Sequence, residues 1–145
     1  MKTHAKYVEW LSVHEMHQAT NNWFSELEFI KDEQIFFDDL IKSYTLQLIE
    51  SKHYEASKNL VEQLSQFQKD TNKFLGIVKT HRNKLYIMVD GKDQLKNEAN
   101  YREEHKTLII KLAEFMHEYT LLKSKLFNNI KEILKELKQK PLLKE

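Results

Sequence analysis

Apolar residues recur every three to four positions through almost the whole chain, which is the spacing of one face of an α-helix that packs against others. In a first segment the stripe runs Val13, Met16, Thr20, Trp23, Leu27, Ile30, Gln34, Phe37, Ile41, Tyr44 and Leu48. A second runs Leu60, Leu64, Phe67, Thr71, Phe74, Val78, His81, Leu85 and Met88. A third runs His105, Ile109, Leu112, Met116, Tyr119, Lys123, Leu126, Ile130, Ile133 and Leu137. Phe24, Phe36 and Leu40 flank the first stripe, Val61 and Leu75 the second, and Leu108, Phe115 and Leu122 the third. The widened stripes suit helices with two neighbours each.

Breakers between the stripes are few. Asp90-Gly91-Lys92-Asp93 reads as a turn, with Gly91 ending one helix and Asp93 capping the next. A weaker break falls at Ser51-Lys52-His53, where Ser51 can cap a helix beginning near His53. Pro141 is expected to end the last helix because it has no amide hydrogen to donate, whereas Gly76 has no turn residues beside it and reads as a glycine inside a helix. The expectation is an all-α, single-domain bundle of three long helices, up-down-up, over about 4–50, 53–90 and 93–140. Each helix then spans about 50–70 Å at 1.5 Å per residue. A four-helix bundle with the first segment broken near 31–33 is the rival arrangement.

Short connections make successive helices antiparallel, so their register can be estimated. Folding about residue 52 sets Trp23 level with His81. Folding about Gly91 sets His81 level with Arg102 and Val78 level with His105, and Glu26 then falls near the height of His105. One half of the bundle, around Phe37, Phe67 and Met116, reads as wholly apolar. The other gathers Thr20, Glu26, His81, Glu98, Arg102 and His105 on or beside the seam. Buried polar groups are costly unless paired or coordinated. Three explanations follow: a satisfied hydrogen-bonded network, a splayed and solvated end, or a metal site. For a metal the candidate ligands are His81, His105 and Glu26, with His17 or Glu104, because helical bundles build such sites from inward His and Glu on facing helices. That donor set suits iron, zinc or manganese. The fixed positive charge of Arg102 argues against it.

Composition narrows the classes. Charged residues make up 31% of 145 and nearly cancel to a net +1, without the basic excess of a nucleic-acid binder. The absence of cysteine removes disulfides and thiolate metal sites. No window approaches a membrane-spanning apolar run, and the start MKTHAKYVEW lacks the apolar core of a signal peptide, so a soluble cytoplasmic protein is expected. Glu50…His53 and Glu114…His117 have the Glu-x-x-His spacing of ferritin-like di-iron bundles but fall far apart in this register and read as solvated faces. His14 and His17 are three apart, not the four of a His-Glu-x-x-His metalloprotease helix. No phosphate loop or activated nucleophile is present. Trp10, Trp23 and the Phe36-Phe37 pair read as core or interface aromatics.

The run Trp23-Phe-Ser-Glu26-Leu27-Glu-Phe29, Asp32-Glu33, Phe67-Gln68, His81, and Glu104-His105 through Phe115 to Tyr119 resembles an uncharacterised family of all-helical proteins from Bacteroidetes bacteria. The resemblance spans roughly 14–135 and implies a helical bundle without an assigned activity. His17, Glu26, His81 and His105 match its polar pattern, while Thr20 stands where a second histidine is expected before the tryptophan.

Two function classes result. The first is a non-enzymatic bundle acting on a protein partner or on itself, whose hallmark is an exposed apolar stripe drawn from Phe24, Phe36 and Leu40. It needs no cofactor. The second binds a transition metal ion in the His/Glu cluster. Catalysis is disfavoured because long packed helices offer few clefts.

Overall fold

The computed structural model describes residues 11–50, 52–90 and 94–144. Among these, four α-helices are found: α1 Val13–Ser43, α2 Thr45–Glu50, α3 Tyr54–Asp90 and α4 Gln94–Lys144. The three long helices form the expected all-α bundle. Helix α1 does not begin near residue 4 and run unbroken to 50. Leu11 and Ser12 are not helical, and Ser12 starts α1 as a reciprocal cap. Its hydroxyl accepts from the Glu15 amide at 3.1 Å, and the Glu15 carboxylate accepts from the Ser12 amide at 3.4 Å. The part of the expected first helix before Leu11, the Gly91–Asp93 turn and the Ser51 cap lie outside the described residues.

Residues 31–33 are continuous helix; the break falls at Tyr44 instead. No glycine or proline causes it. The Ser43 hydroxyl donates to the Asp39 carbonyl and the Thr45 hydroxyl to the Lys42 carbonyl, both at 2.9 Å. The Tyr44 amide turns back to Ile41 at 3.1 Å. Hydroxyls that satisfy last-turn carbonyls offer the backbone an alternative to the helical ladder. At the other end of the chain α4 continues through Pro141 to Lys144. The amide that Pro141 lacks would have served the Leu137 carbonyl, so the helix continues at the loss of one backbone bond within its last two turns.

Helix α3 runs antiparallel to both partners. Gln34 and Trp23 of α1 meet Thr71 and His81 of α3, close to the expected register. Against α4, His81 bonds His105, three residues beyond the expected Arg102, and stacks on Tyr101, one residue before it. Helices α1 and α4 are parallel, with Leu11 beside Arg102 and Phe37 beside Phe127.

The core has three apolar clusters. The middle one is built on Leu27, Ile30, Val78, Leu108, Leu112, Phe115 and Tyr119. One end is closed by Leu11, Met16, Leu85 and Tyr101, and the other packs Phe37, Leu60, Leu64, Leu122, Leu126 and Ile130. One expectation about this core is overturned. The half around Phe37 and Phe67 is not wholly apolar, because buried Gln34 donates to the Thr71 hydroxyl at 2.9 Å. The half around His81 carries, beside its polar residues, the apolar cluster of Leu11, Met16, Leu85 and Tyr101. On α4 the buried line is Tyr101, His105, Leu108, Leu112, Phe115, Tyr119, Leu122 and Leu126, leaving Ile109, Met116 and Lys123 half-buried beside it.

Gly76 lies inside α3 as expected. A methyl group placed on it meets no atom within 4 Å. Gly76→Ala is therefore expected to stabilise the fold by about 0.5–1 kcal/mol through helix propensity and reduced unfolded-state entropy. A urea midpoint that rises with unchanged slope checks this; a lower midpoint would contradict it.

Candidate functional site

The polar side chains of the core meet where α3 crosses α4. His81 and His105 are both fully buried, and His81 Nε2 lies 2.9 Å from His105 Nδ1. Tyr101, one turn before His105, stacks on the His81 ring at 4.1 Å between centroids and 4° between planes. Trp23 of α1 lies over the His105 ring at 4.7 Å. Glu104 brings a carboxylate oxygen to 3.5 Å from His81 Nδ1, the outer edge of hydrogen-bonding distance, while its second oxygen accepts from Lys84 Nζ at 2.9 Å.

That carboxylate assigns the tautomers. An unprotonated His81 Nδ1 would face Glu104 lone pair to lone pair, so Nδ1 carries the proton of a neutral His81. His81 Nε2 is then an acceptor, and His105 Nδ1–H donates to it. The His105–His81 bond is thereby directed. His81 Nδ1, in contact with Glu104 at 3.5 Å without a formed hydrogen bond, and His105 Nε2 are left as buried nitrogens with no hydrogen-bond partner among the described residues. The buried Tyr101 hydroxyl is likewise unpartnered. It lies close to Thr20, but the Thr20 hydroxyl donates to the Met16 carbonyl at 2.7 Å and the pair lacks hydrogen-bonding geometry.

Burial holds both imidazoles neutral. Desolvation lowers His81, with the neighbouring Glu104 charge opposing and Lys84 assisting. Desolvation, then His81 and Arg102, push His105 down to about 4. Burial raises the Tyr101 phenol to about 12.

The remaining expected site residues divide. Thr20 is buried in the cluster. Glu104 touches it from the half-buried flank. Arg102 turns aside to bind Glu98 at 3.0 Å and to donate to the Leu11 carbonyl at 2.7 Å, tying the start of α1 to α4. His17 is apart, bonded to Asn21 at 3.2 Å with its ring edge-on to Tyr86. Glu26 is exposed. It follows Trp23 by three residues but precedes Leu27 by one, and the buried line through Thr20, Leu27 and Ile30 turns it outward. The expected metal set is thus not assembled: the two histidines direct their facing nitrogens at each other. Among the described residues no group of three or more His, Asp or Glu side chains is placed to hold a metal ion. His53, of the Glu50…His53 pair, lies against Glu136 at 3.2 Å, and both Glu114 and His117 are exposed.

Two features were not anticipated. Glu33 accepts from the Tyr119 hydroxyl at 2.9 Å and from Lys123 Nζ at 3.3 Å, which accounts for a lysine beside the α4 seam. Burial, then Glu33, raise the Tyr119 phenol. The second is a groove of about 500 Å³ on the outer side of the α1–α4 contact. Its apolar lining is Phe36, Leu40, Phe127, Ile130 and Leu134, and its charged lining is Lys131, Lys135 and Lys138. Phe36 is 57% exposed and Phe127 53%. Of the other expected surface residues, Leu40 is half-buried in this groove. Phe24 is half-buried beneath the Arg82 guanidinium, 4.6 Å from its ring.

Among the described residues no helix is long and apolar enough to cross a membrane. Comparison with protein families, with curated proteins and with solved structures finds no match. The functional reading rests on the chain's own geometry.

The neutral pair makes stability depend on pH. In the unfolded chain both histidines titrate near 6.5. Below that value the unfolded chain binds more protons than the fold. The contribution is therefore complete above about pH 7 and is lost from 6.5 towards about 4, where His105 protonates in place. Each histidine adds a slope of at most about 1.4 kcal/mol per pH unit. Urea midpoints should fall steadily between pH 7 and 5.5; a flat profile there would mean that the pair is solvated.

Proposed function

We propose that this protein is a non-enzymatic helical bundle that works through protein contact, and that its contact surface is the groove between α1 and α4. One observation carries this reading. Two phenylalanines, Phe36 and Phe127, stand more than half exposed on either side of a concave apolar floor made by Leu40, Ile130 and Leu134. Single exposed apolar residues are ordinary on protein surfaces, whereas a contiguous concave set rimmed by charge is the form of an interaction site. The aromatic contacts run inward without a gap: buried Phe37 is edge-on to Phe36 at 5.9 Å and to Phe127 at 5.1 Å. The groove walls are therefore set by the core and do not need a partner to form.

The buried His81–His105 pair serves this function as structure. It has no opening that a substrate could use among the described residues, and its facing nitrogens are bonded to each other.

Site-specific photo-crosslinking tests the reading. The photoreactive p-benzoylphenylalanine is placed at Phe127 and, as a control, at Lys69, exposed on the outer face of α3. Expression in living cells followed by irradiation should give discrete adducts from position 127 and none from position 69. Absence of adducts at 127, or equal labelling at both positions, would overturn the proposal.

A further inference from the structure

The groove is one-sided in charge, and that identifies the chemistry of what fills it. Its lining includes Lys131, Lys135 and Lys138 and no acidic residue. The three lie on one helix at spacings of four and three, so they form a row along one wall. Lys131 and Lys138 make no ion pair among the described residues, and Lys135 reaches only the exposed Glu132, three residues away at 3.5 Å. An exposed pair of that kind holds its lysine weakly.

We infer that the groove receives one face of an acidic amphipathic helix from another protein. This deepens the contact reading above and rests on it. The row of lysines matches carboxylates repeated at helical spacing. The floor of Leu40, Ile130 and Leu134, with Phe36 and Phe127 at its sides, matches apolar residues at the alternate i, i+3, i+4 and i+7 positions of the same helix. From Phe127 to Lys138 the wall extends about 16 Å, room for about three turns of helix. A phosphate backbone would satisfy the lysines but leave the apolar floor uncovered, so a protein helix fits both halves of the lining and a nucleic acid fits one. A second copy of this chain is a distinct occupant that the test below separates.

The full chain is titrated against three fluorescein-labelled peptides of about 16 residues, stapled on the outward face to hold them helical. One carries leucines at i, i+3, i+4 and i+7 with glutamates elsewhere. The second replaces the glutamates by lysines. The third keeps the acidic composition but scrambles the leucine stripe. Binding of the acidic amphipathic peptide is expected to exceed that of each of the other two by about tenfold or more. Lys131→Glu combined with Lys135→Glu should invert the acidic–basic preference, and Phe127→Ser should weaken the acidic peptide without changing the charge preference. These side chains are exposed, so the circular dichroism of each variant should match the parent.

Equal binding of acidic and basic peptides, or a preference unmoved by the lysine reversals, overturns the inference. So does equal binding of the scrambled peptide, which would leave only diffuse charge attraction. Sedimentation showing that the groove is filled by a second copy, with no peptide displacing it, overturns it as well. Crosslinked adducts at position 127 together with any of these results sink this inference alone. No adducts at 127 sinks the contact reading, whatever the peptides do.

Discussion

A hydrogen bond between two uncharged imidazoles, His81 Nε2 with His105 Nδ1 at 2.9 Å, is the constraint on which the arrangement of this bundle depends. Long apolar stripes are permissive, because a helix of leucines and phenylalanines can slide by a turn against its neighbour and still bury carbon. A one-turn slip moves side chains by about 5.4 Å. It would leave both imidazoles buried and unpaired, at a cost of about 1–3 kcal/mol for each lost partner. The same logic repeats along the bundle. Gln34 finds Thr71 at 2.9 Å, Ser57 finds Asn129 at 3.1 Å, and Glu33 gathers Tyr119 and Lys123. Each pair joins different helices, so each selects one axial position among several that the apolar residues alone would allow.

The register has a consequence on the surface. Once α4 buries Tyr101, His105, Leu108, Leu112, Phe115 and Leu122, its next positions in phase put Phe127 and Leu134 at the margin of the core. Lys131 and Lys138 are then carried along the same margin. The parallel α1 brings Phe36 and Leu40 to that level through the Phe37–Phe127 contact. The groove is thus what remains when the buried polar pairs have fixed where two parallel helices sit against α3. Its apolar floor is the part of the stripe that three helices cannot cover.

Periodicity made the three long helices legible, and the Ser51-Lys52-His53 and Asp90-Gly91 breaks placed the ends of α3. Grouping His81 with His105 was also legible, since folding the chain about Gly91 brings two histidines on apolar stripes to within one turn of each other. What the pattern could not choose was the rotation of α4. Ile109, Met116 and Lys123 form one plausible stripe and Leu108, Phe115 and Leu122 another, and both are apolar enough to pass. Tertiary packing selected the second and brought Tyr101 onto His81. Glu26 was misplaced because α1 buries Thr20, Leu27 and Ile30 and so turns it outward, while Trp23, three residues earlier, lies beside His105. The Ser12…Glu15 capping box was readable as a Ser-x-x-Glu signature before an apolar stripe, and it marks the start of α1. The break at Tyr44 was not, because it depends on hydroxyls reaching back to carbonyls and not on a residue that cannot be helical. Which flanking aromatic stays exposed is likewise a property of the assembled bundle: Phe24 is covered by Arg82, and Phe36 is not.

A double-mutant cycle on the two histidines tests the central claim most directly. His81→Leu and His105→Leu each strand one buried nitrogen partner and should each cost about 1–3 kcal/mol in urea unfolding at pH 7.5. The double replacement removes both polar partners together. Its cost should therefore fall short of the sum of the single costs by at least about 1 kcal/mol. Costs that add to within about 0.5 kcal/mol would contradict the account, because the two imidazoles would then contribute to the bundle independently.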